Sequence, residues 1–271
     1  MALTGIWGRP FLDLEFAVDL AALGALDDEL CQGLAQLETT YTGGSHRSMG
    51  IMPEAFASEP YVDYGEVLRA LSEADFEAFR SLGDPRGSSP QAYGEEHERP
   101  LTLAQMRWLS YRHGVYFPWK VYYELIPNRW WSGKSQGQGK AFTAEALRLF
   151  PATVEFIRAL PFEEVGSCKL LGVAANDHGT VHRDADPAVK RTVDHFITFC
   201  PRGDKRLFLW DDGRQTRAYS PARVYWFNDS DYHGVEATPR FTYSLRVDGV
   251  FRRDFLSTLL ERYGPPAQEH A

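Results

Sequence analysis

The run RLFLWDDGRQTRAYSPARVYWFN at residues 206–228 decides the fold, because short apolar and aromatic segments alternate there with turn-forming residues. The segments RLFLW and ARVYWFN have the length of β-strands, and the cluster DDGR between them is typical of a turn. Similar runs are SCKLLGVAAN at 167–176, TVDHFITFC at 192–200 and RFTYSLRVDGVF at 240–251. Strands at this spacing, with no helices between them, predict an antiparallel sandwich or barrel.

The sequence on the N-terminal side of these runs has a helical pattern instead. Apolar residues recur at steps of three and four along 14–41 and again along 61–79, which predicts amphipathic helices. The stretch RSLGDPRGSSPQAYGEEHERP at 80–100 is rich in Gly, Pro, Ser and charge, and predicts an exposed loop.

Two further helical segments flank the predicted strands. In FTAEALRLFPATVEFIRAL at 142–160, Thr143 is placed as an N-cap, and Pro151 divides the segment into two short helices. In RRDFLSTLLERYG at 252–264, the pattern predicts a final helix with Gly264 as its C-cap.

We therefore expect an α+β protein whose helices come mainly from the N-terminal half, with one helix at the C-terminus. The 271 residues are interpreted as a single catalytic domain, 1–271. Within it, 1–140 is mostly helical, 141–250 is the β-core with its preceding helix, and 251–271 is the final helix and tail.

Composition narrows the class of partner. The net charge of −8 disfavours nucleic acid and anionic membranes as partners, since an acidic surface attracts neither. No stretch approaches the apolar length of a membrane span, and the N-terminus lacks a signal-peptide pattern. The three cysteines are too few and too far apart for a disulfide framework, which favours a reducing, cytoplasmic location. The sequence does not indicate an oligomeric state.

The candidate functional residues lie at the ends of predicted strands. His182 and Asp184, in VHRD, are two positions apart, so on a strand their side chains point to the same face. His233 lies in the turn before the last strand. Two histidines and one carboxylate on one face of a metal, with the other positions open, are typical of non-heme Fe(II) oxygenases. Scattered polar residues are the alternative interpretation.

Two arginines follow this group. Arg240 opens the last strand, where its guanidinium is able to pair with a carboxylate inside the barrel, although a solvated surface arginine fits its local sequence equally well. Arg246 lies on the same strand at an even offset and therefore on the same face, which makes it a candidate for a substrate carboxylate.

The C-terminal part of the chain resembles the aspartyl/asparaginyl β-hydroxylases, a branch of the Fe(II)/2-oxoglutarate dioxygenases that includes free-proline cis-hydroxylases. The matching segments are LFPAT at 149–153, HRD at 182–184, DHFITF at 194–199, FNDSDYH at 227–233 and PRFTYSLRVDG at 239–249. The resemblance implies a double-stranded β-helix, that is, a cupin-like jelly roll.

The resemblance also implies roles for individual residues. His182, Asp184 and His233 correspond to the iron ligands, Arg240 to the residue that binds the far carboxylate of 2-oxoglutarate, and His195 to a co-substrate contact. For His195, a hydrogen-bonded core histidine is the alternative. The implied cofactors are Fe(II), 2-oxoglutarate and O₂, and the implied reaction is hydroxylation of a small molecule, such as a free amino acid or a natural-product intermediate.

Three positions depart from the family pattern. Asp184 is retained, as in the proline hydroxylases, whereas many β-hydroxylases have a non-ligating residue here and related halogenases a small one. This favours hydroxylation over halogenation and leaves desaturation and ring formation open. Val193 stands where the family usually has arginine, with Arg191 two residues earlier, and the interval from His233 to Arg240 is short for the family. Two other classes stay open: a cupin-like metal enzyme that does not use 2-oxoglutarate, and a non-catalytic barrel that binds a small acid.

Overall fold

The computed structural model describes residues 3–37, 53–56, 64–83, 86–87, 89–93, 99, 101–115, 117 and 121–265. Within these ranges the chain forms a mixed α/β structure whose strands pair only in the antiparallel sense. Ten strands lie in the described part: β1 Phe11–Asp13, β2 Val121–Ile126, β3 Phe162–Val173, β4 Gly179–His182, β5 Phe196–Phe199, β6 Leu207–Asp211, β7 Thr216–Tyr219, β8 Val224–Phe227, β9 His233–Val235 and β10 Thr242–Phe251.

The described ranges also contain seven α-helices. These are α1 Leu20–Leu34, α2 Tyr64–Ala70, α3 Glu73–Ser81, α4 Leu103–His113, α5 Ala144–Leu149, α6 Pro151–Ala159 and α7 Arg253–Tyr263. Among the helices so described, none is both long enough and apolar enough to cross a bilayer. The predicted loop at 80–100 falls partly outside the described residues.

The strands form two sheets. The large sheet has the order β1-β8-β5-β10-β3-β2, and the small sheet has the order β4-β9-β6-β7. From β3 to β10 the chain therefore alternates between the sheets, except at the β6–β7 hairpin, whose turn contains the predicted cluster DDGR. The five predicted strand runs all contain strands, whereas the short strands β4, β7 and β9 were not predicted individually.

Two strands from the N-terminal half complete the large sheet, one at each edge. β1 pairs with β8, and β2 pairs with β3 in a register that sets Glu124 opposite Lys169. The pairing partner of each lies far along the chain, so no local pattern could have indicated it. The helices predicted for this half are present as α1, α2 and α3.

The main core lies between the large sheet and helices α1, α6 and α7. Side chains alternate along a strand, so one face of the large sheet contributes Leu170, Leu245 and Val247 to this core while the other faces the small sheet. Phe156 of α6 packs on Phe199 of β5, with ring centres 5.1 Å apart. A second hydrophobic cluster, formed by α2, α3 and α4 with their neighbours, surrounds Phe79.

The predicted ends of the helices that border the strands are confirmed. The Thr143 side chain accepts a hydrogen bond from the Ala146 amide at the start of α5. Pro151 occupies the first turn of α6, where it needs no hydrogen-bond partner, and so it separates α5 from α6. Gly264 caps α7, and its backbone amide donates a hydrogen bond to the Leu260 carbonyl.

Candidate metal centre

The two strands β4 and β9 bring the candidate ligands together. They pair antiparallel, with His182 directly opposite His233, so the two imidazole rings lie 4.3 Å apart between centroids. Asp184 follows two residues after His182 and turns its carboxylate toward both rings. Its Oδ1 lies 3.5 Å from the Nε2 of His182 and 3.7 Å from the Nε2 of His233. The three side chains offer donor atoms that all lie within 4.8 Å of one another.

Backbone carbonyls orient both histidine rings. The Nδ1 of His182 bonds to the Thr180 carbonyl at 2.7 Å, and the Nδ1 of His233 bonds to the Asp231 carbonyl at 2.9 Å. A carbonyl oxygen can only accept, so each Nδ1 donates a hydrogen bond to it and each Nε2 faces Asp184. Burial, together with the adjacent His182 ring, lowers the pKa of His233 to about 4. At neutral pH this histidine is therefore in the neutral, metal-binding form.

These three residues fit a divalent transition metal. Ligand nitrogens and oxygens lie about 2 Å from such an ion, and the spacings between the donor atoms of His182, His233 and Asp184 are compatible with one common centre. Two imidazoles and one carboxylate would hold such an ion from one side and would leave its other coordination positions open. This donor set suits Fe(II) with open coordination positions.

Asp184 is held in place by two contacts. Its backbone amide donates to the Asp229 carbonyl at 2.9 Å, and its Oδ2 accepts from Arg246 Nη1 at 3.1 Å. Burial alone would raise the pKa of Asp184, but the surrounding His182, His233, Arg246 and Lys134 hold this pKa well below its usual range. The carboxylate is therefore ionised, as a metal ligand must be.

Arg246 belongs to a buried charge network and also lines the cavity beside the histidines. Besides Asp184, its guanidinium pairs with Asp229 at 2.7 Å and with Asp248 at 2.9 Å. It also lies over the Phe196 ring at 3.8 Å. Burial opposes the charge, yet the three carboxylates raise the pKa of Arg246 above its ordinary value. Its Nε, Nη1 and Nη2 groups donate to Asp248, Asp184 and Asp229 in turn, so Arg246 positions the metal-binding carboxylate.

A lysine from the segment before α5 completes the network. Lys134 pairs with Asp194 at 2.7 Å and with Asp229 at 3.1 Å, and its ammonium group lies 3.8 Å from the centre of the Trp131 ring. The Asp229 carboxylate therefore pairs with both Lys134 and Arg246, while its backbone carbonyl accepts a hydrogen bond from the Asp184 amide. This arrangement links the segment around Trp131 directly to the metal-binding group.

A cavity between the sheets adjoins the histidines. Its lining includes His182, His233, Thr198, Ser244 and Lys205. The ammonium group of Lys205 donates to Ser244 Oγ at 2.9 Å and to the Leu171 carbonyl at 3.0 Å. Among the residues that the structure describes, no carboxylate forms an ion pair with Lys205. Burial lowers its pKa to about 8, so the amine is mainly charged at neutral pH.

Arg240 is not part of this arrangement. It is exposed, it lies in a bend before β10 begins at Thr242, and it does not line the cavity. The sequence placed Arg240 on the strand itself. In the structure Arg240 still belongs to the connection between β9 and β10, and β10 begins two residues later, at Thr242. Basic side chains that do line the cavity are Lys205, just before β6, and Arg246.

His195 also lies away from the cavity. Its ring stacks on Phe251 at 4.7 Å, and its Nδ1 accepts a hydrogen bond from the Phe251 amide. Side chains alternate along β5, so Phe196 and Thr198 face inward and His195 faces the opposite side of the sheet. The geometry therefore matches the core-histidine interpretation, and burial lowers the pKa of His195 accordingly.

The sequence did not single out several residues of the site: Lys134, Asp229, Lys205 and Asp248. One signal was available for Asp248, since it lies two residues after Arg246 and shares its face of β10. Asp229 lies inside the quoted segment FNDSDYH, but nothing local separates it from Asp231. Lys134 and Lys205 lie in turn-like stretches that typically predict exposed lysines.

No protein-family model matches this chain, and no curated protein matches it. Among solved structures, it is similar to a Pseudomonas putida prolyl-4-hydroxylase at 12% identity and a TM-score of 0.26, over 41% of this chain and 66% of that chain. It is also similar to a Burkholderia pseudomallei oxidoreductase of the 2OG-Fe(II) oxygenase family at 11% identity and a TM-score of 0.30, over 48% of this chain and 69% of that chain. Likenesses this remote support neither a fold nor a function, so any functional assignment depends on the site itself.

Proposed function

We propose that this protein is an Fe(II)- and 2-oxoglutarate-dependent oxygenase that hydroxylates a small molecule. The observation that carries the proposal is the convergence of His182, Asp184 and His233 on one point beside a cavity that contains the ammonium group of Lys205. The donor set suits iron with open positions, and the lysine suits an anionic co-substrate.

The topology supports the same proposal. Strands β3 to β10 alternate between two antiparallel sheets, as the strands of a double-stranded β-helix do, and the ligands come from β4 and β9 at adjacent positions of the small sheet. The sequence segments quoted above favour the aspartyl/asparaginyl β-hydroxylase branch of these oxygenases, with Asp184 present as a ligand.

Lys205, rather than Arg240, is our candidate for the group that binds the far carboxylate of 2-oxoglutarate. Its ammonium group already donates to Ser244 Oγ, so a carboxylate entering the cavity would meet one charge and one hydroxyl. Thr198 lines the same cavity and offers a second hydroxyl. Arg246 lines the same cavity but already pairs with Asp184, Asp229 and Asp248, so we assign this role to Lys205.

When bound, iron and 2-oxoglutarate would supply oxygen activation coupled to decarboxylation of the co-substrate to succinate and CO₂. The chain supplies position and charge. The Nδ1 bonds hold both imidazoles with Nε2 toward the metal position, and Arg246 holds Asp184 as an ionised ligand. Phe227 and Leu207 line the cavity with apolar surface that excludes water from the reaction.

Succinate formation by the purified protein tests this proposal. We expect succinate from 2-oxoglutarate when Fe(II) and ascorbate are present, and none from the His182→Ala variant, which loses one of three protein ligands. The matched control is His178→Ala, in the turn before β4, which should retain activity. Equal activity in His182→Ala and the wild type would contradict the site assignment, and metal binding without succinate would favour a cupin-like enzyme of another class.

A further inference from the structure

The turn at 228–231, between β8 and β9, holds two of the three candidate metal ligands through its backbone. The Asp229 carbonyl accepts a hydrogen bond from the Asp184 amide at 2.9 Å, and the Asp231 carbonyl accepts one from His233 Nδ1 at 2.9 Å. All four residues of the turn are buried. Because these carbonyls set the direction of the two ligands, whatever fixes the turn also fixes the metal site.

The Asp231 side chain is held by the N-terminal segment, defined here as residues 4–9. Its two carboxylate oxygens accept hydrogen bonds from successive backbone amides, Oδ1 from Thr4 at 2.8 Å and Oδ2 from Gly5 at 2.6 Å. Gly5 has a φ of +64°, and successive amides beside a left-handed residue form a concave site that suits an anion. The N-terminal segment therefore contacts the turn directly, although 226 residues separate Gly5 from Asp231 in the sequence.

The N-terminal segment is itself fixed against the rest of the fold. Ile6 is buried in the main core, and a short hairpin joins the Ile6 amide to the Arg9 carbonyl at 2.9 Å and the Arg9 amide to the Ile6 carbonyl at 3.0 Å. The Asn228 side chain donates to the Gly5 carbonyl at 3.4 Å. Strand β1 follows and pairs with β8, the strand that leads into the turn. The segment thus connects the core to the turn at a fixed position.

We propose that Asp231 is a positioning residue for the metal site: the N-terminal segment holds its carboxylate, and its carbonyl thereby holds the His233 imidazole in the metal-binding orientation. The inference rests on the proposed oxygenase function, since it concerns a metal ligand of that site. The carboxylate and the carbonyl belong to one residue, so releasing the carboxylate lets the carbonyl turn away from Nδ1, and a misaligned hydrogen bond is weak. Asp231 does not line the cavity beside the histidines, so its effect passes through His233.

Two glycines of the N-terminal segment provide a matched pair of variants. A Cβ at Gly5 would lie 2.3 Å from the Arg9 carbonyl oxygen, so Gly5→Ala forces the hairpin to shift and displaces the amides that bind Asp231. Gly8 also has a positive φ, of +75°, but a Cβ there would meet no atom within 4 Å. Gly8→Ala therefore introduces a similar backbone strain and leaves the contacts to Asp231 intact.

Titration of the metal-free chain with Co(II) under anaerobic conditions measures the effect, and the visible absorption of bound Co(II) reports the geometry of its ligands. We expect the Kd for Co(II) to rise roughly threefold to tenfold in Gly5→Ala and in Asp231→Ala, and the absorption to change in both, because His233 is less firmly oriented. Asp231→Asn keeps one oxygen for one amide and should recover part of the affinity. Gly8→Ala should match the wild type in Kd and in absorption.

The double variant Gly5→Ala/Asp231→Ala separates one shared effect from two independent ones. If the N-terminal segment acts through Asp231, the double variant should bind Co(II) no more weakly than Asp231→Ala alone. The inference is overturned if the two effects on Kd multiply in the double variant, or if Gly5→Ala lowers the Tm but keeps the wild-type Kd and absorption. Absence of Co(II) binding in the wild type would instead contradict the proposed function, and this inference would fall with it.

Discussion

Arg246 is the residue whose loss should disturb the site most without removing a metal ligand. Its guanidinium pairs with Asp184, Asp229 and Asp248, and all of these side chains are buried. In Arg246→Met the side chain keeps its bulk but the three carboxylates lose their common partner. Removing one partner of a buried charge network leaves uncompensated charges in a medium of low polarity, which costs about 3–5 kcal/mol.

We therefore expect Arg246→Met to lower the free energy of unfolding by that amount and to weaken Fe(II) binding by roughly tenfold to a hundredfold. Urea denaturation and anaerobic metal titration measure the two effects. Arg252→Met is the control, since Arg252 pairs with Asp254 on the surface and its removal should cost less than about 1 kcal/mol. Equal stability of the two variants would show that the network does not hold the site together.

The proposed role of Lys205 predicts that co-substrate affinity depends on pH. Its pKa is lowered to about 8 by burial, so the ammonium form that pairs with a carboxylate is lost as pH rises through that value. We expect the Kd for 2-oxoglutarate to increase between about pH 7 and pH 9.5. Anaerobic titration at each pH measures this increase. Lys205→Arg, which stays charged throughout this range, should show a flat profile, and parallel profiles for the two proteins would contradict the role of Lys205.

The lowered pKa of Lys205 has the opposite effect on the free energy of unfolding, which increases as pH rises. The folded-state pKa of Lys205 lies below the ordinary value of 10.5, so between these two pH values the unfolded chain holds more protons than the folded one. Raising the pH from about 8 to 10.5 thus removes part of the burial penalty, and the contribution of Lys205 to the free energy of unfolding becomes more favourable while co-substrate binding weakens.

At the scale of elements, a side chain of α1 caps the N-terminus of α6. Glu29 of α1 accepts hydrogen bonds from the Ala152 and Thr153 amides and from the Thr153 hydroxyl. Because Phe150 provides no side-chain cap for α6, this carboxylate satisfies the free amides at the N-terminus of the helix. The contact also fixes the helical layer that covers the large sheet.

We expect Glu29→Ala to lower the free energy of unfolding by about 1–2 kcal/mol, with Fe(II) affinity unchanged because the cap lies on the outer side of the sheet. Thermal unfolding and metal titration together measure both quantities. In Glu155→Ala, the exposed ion pair with Arg158 is removed within α6 itself, at an expected cost of less than about 0.5 kcal/mol. A cost for Glu29→Ala no larger than for Glu155→Ala would contradict the capping interpretation.

For the molecule as a whole, metal binding should couple to stability. The ligands come from β4, β9 and the turn after β4, and they meet only when the small sheet is formed. An ion that binds the folded chain alone stabilises it by about 2.7 kcal/mol when present at one hundred times its Kd. We expect Fe(II) added without oxygen to raise the Tm, a chelator to reverse the rise, and His182→Ala to show neither effect. An unchanged Tm in the wild type would contradict a metal site at this position.

The sequence by itself determined the strand-rich C-terminal part, the helix break at Pro151, the Thr143 cap and the three candidate ligands. These features depend on local periodicity, on the fixed backbone angle of proline and on the short offset between His182 and Asp184. Each of these except His233 can be predicted from a few neighbouring residues; His233 was indicated by its place before the last strand and by the family resemblance.

Only the tertiary structure decided which charges meet. Lys134 and Asp229 are 95 residues apart, and Lys205 and Ser244 are 39 residues apart. No local pattern states which strand pairs with which, or in what register, and a shift of one residue moves a side chain to the opposite face of a sheet. For that reason His195 lies in the core, Arg240 lies in solvent and Arg246 holds Asp184, although all three carry side chains suited to other roles.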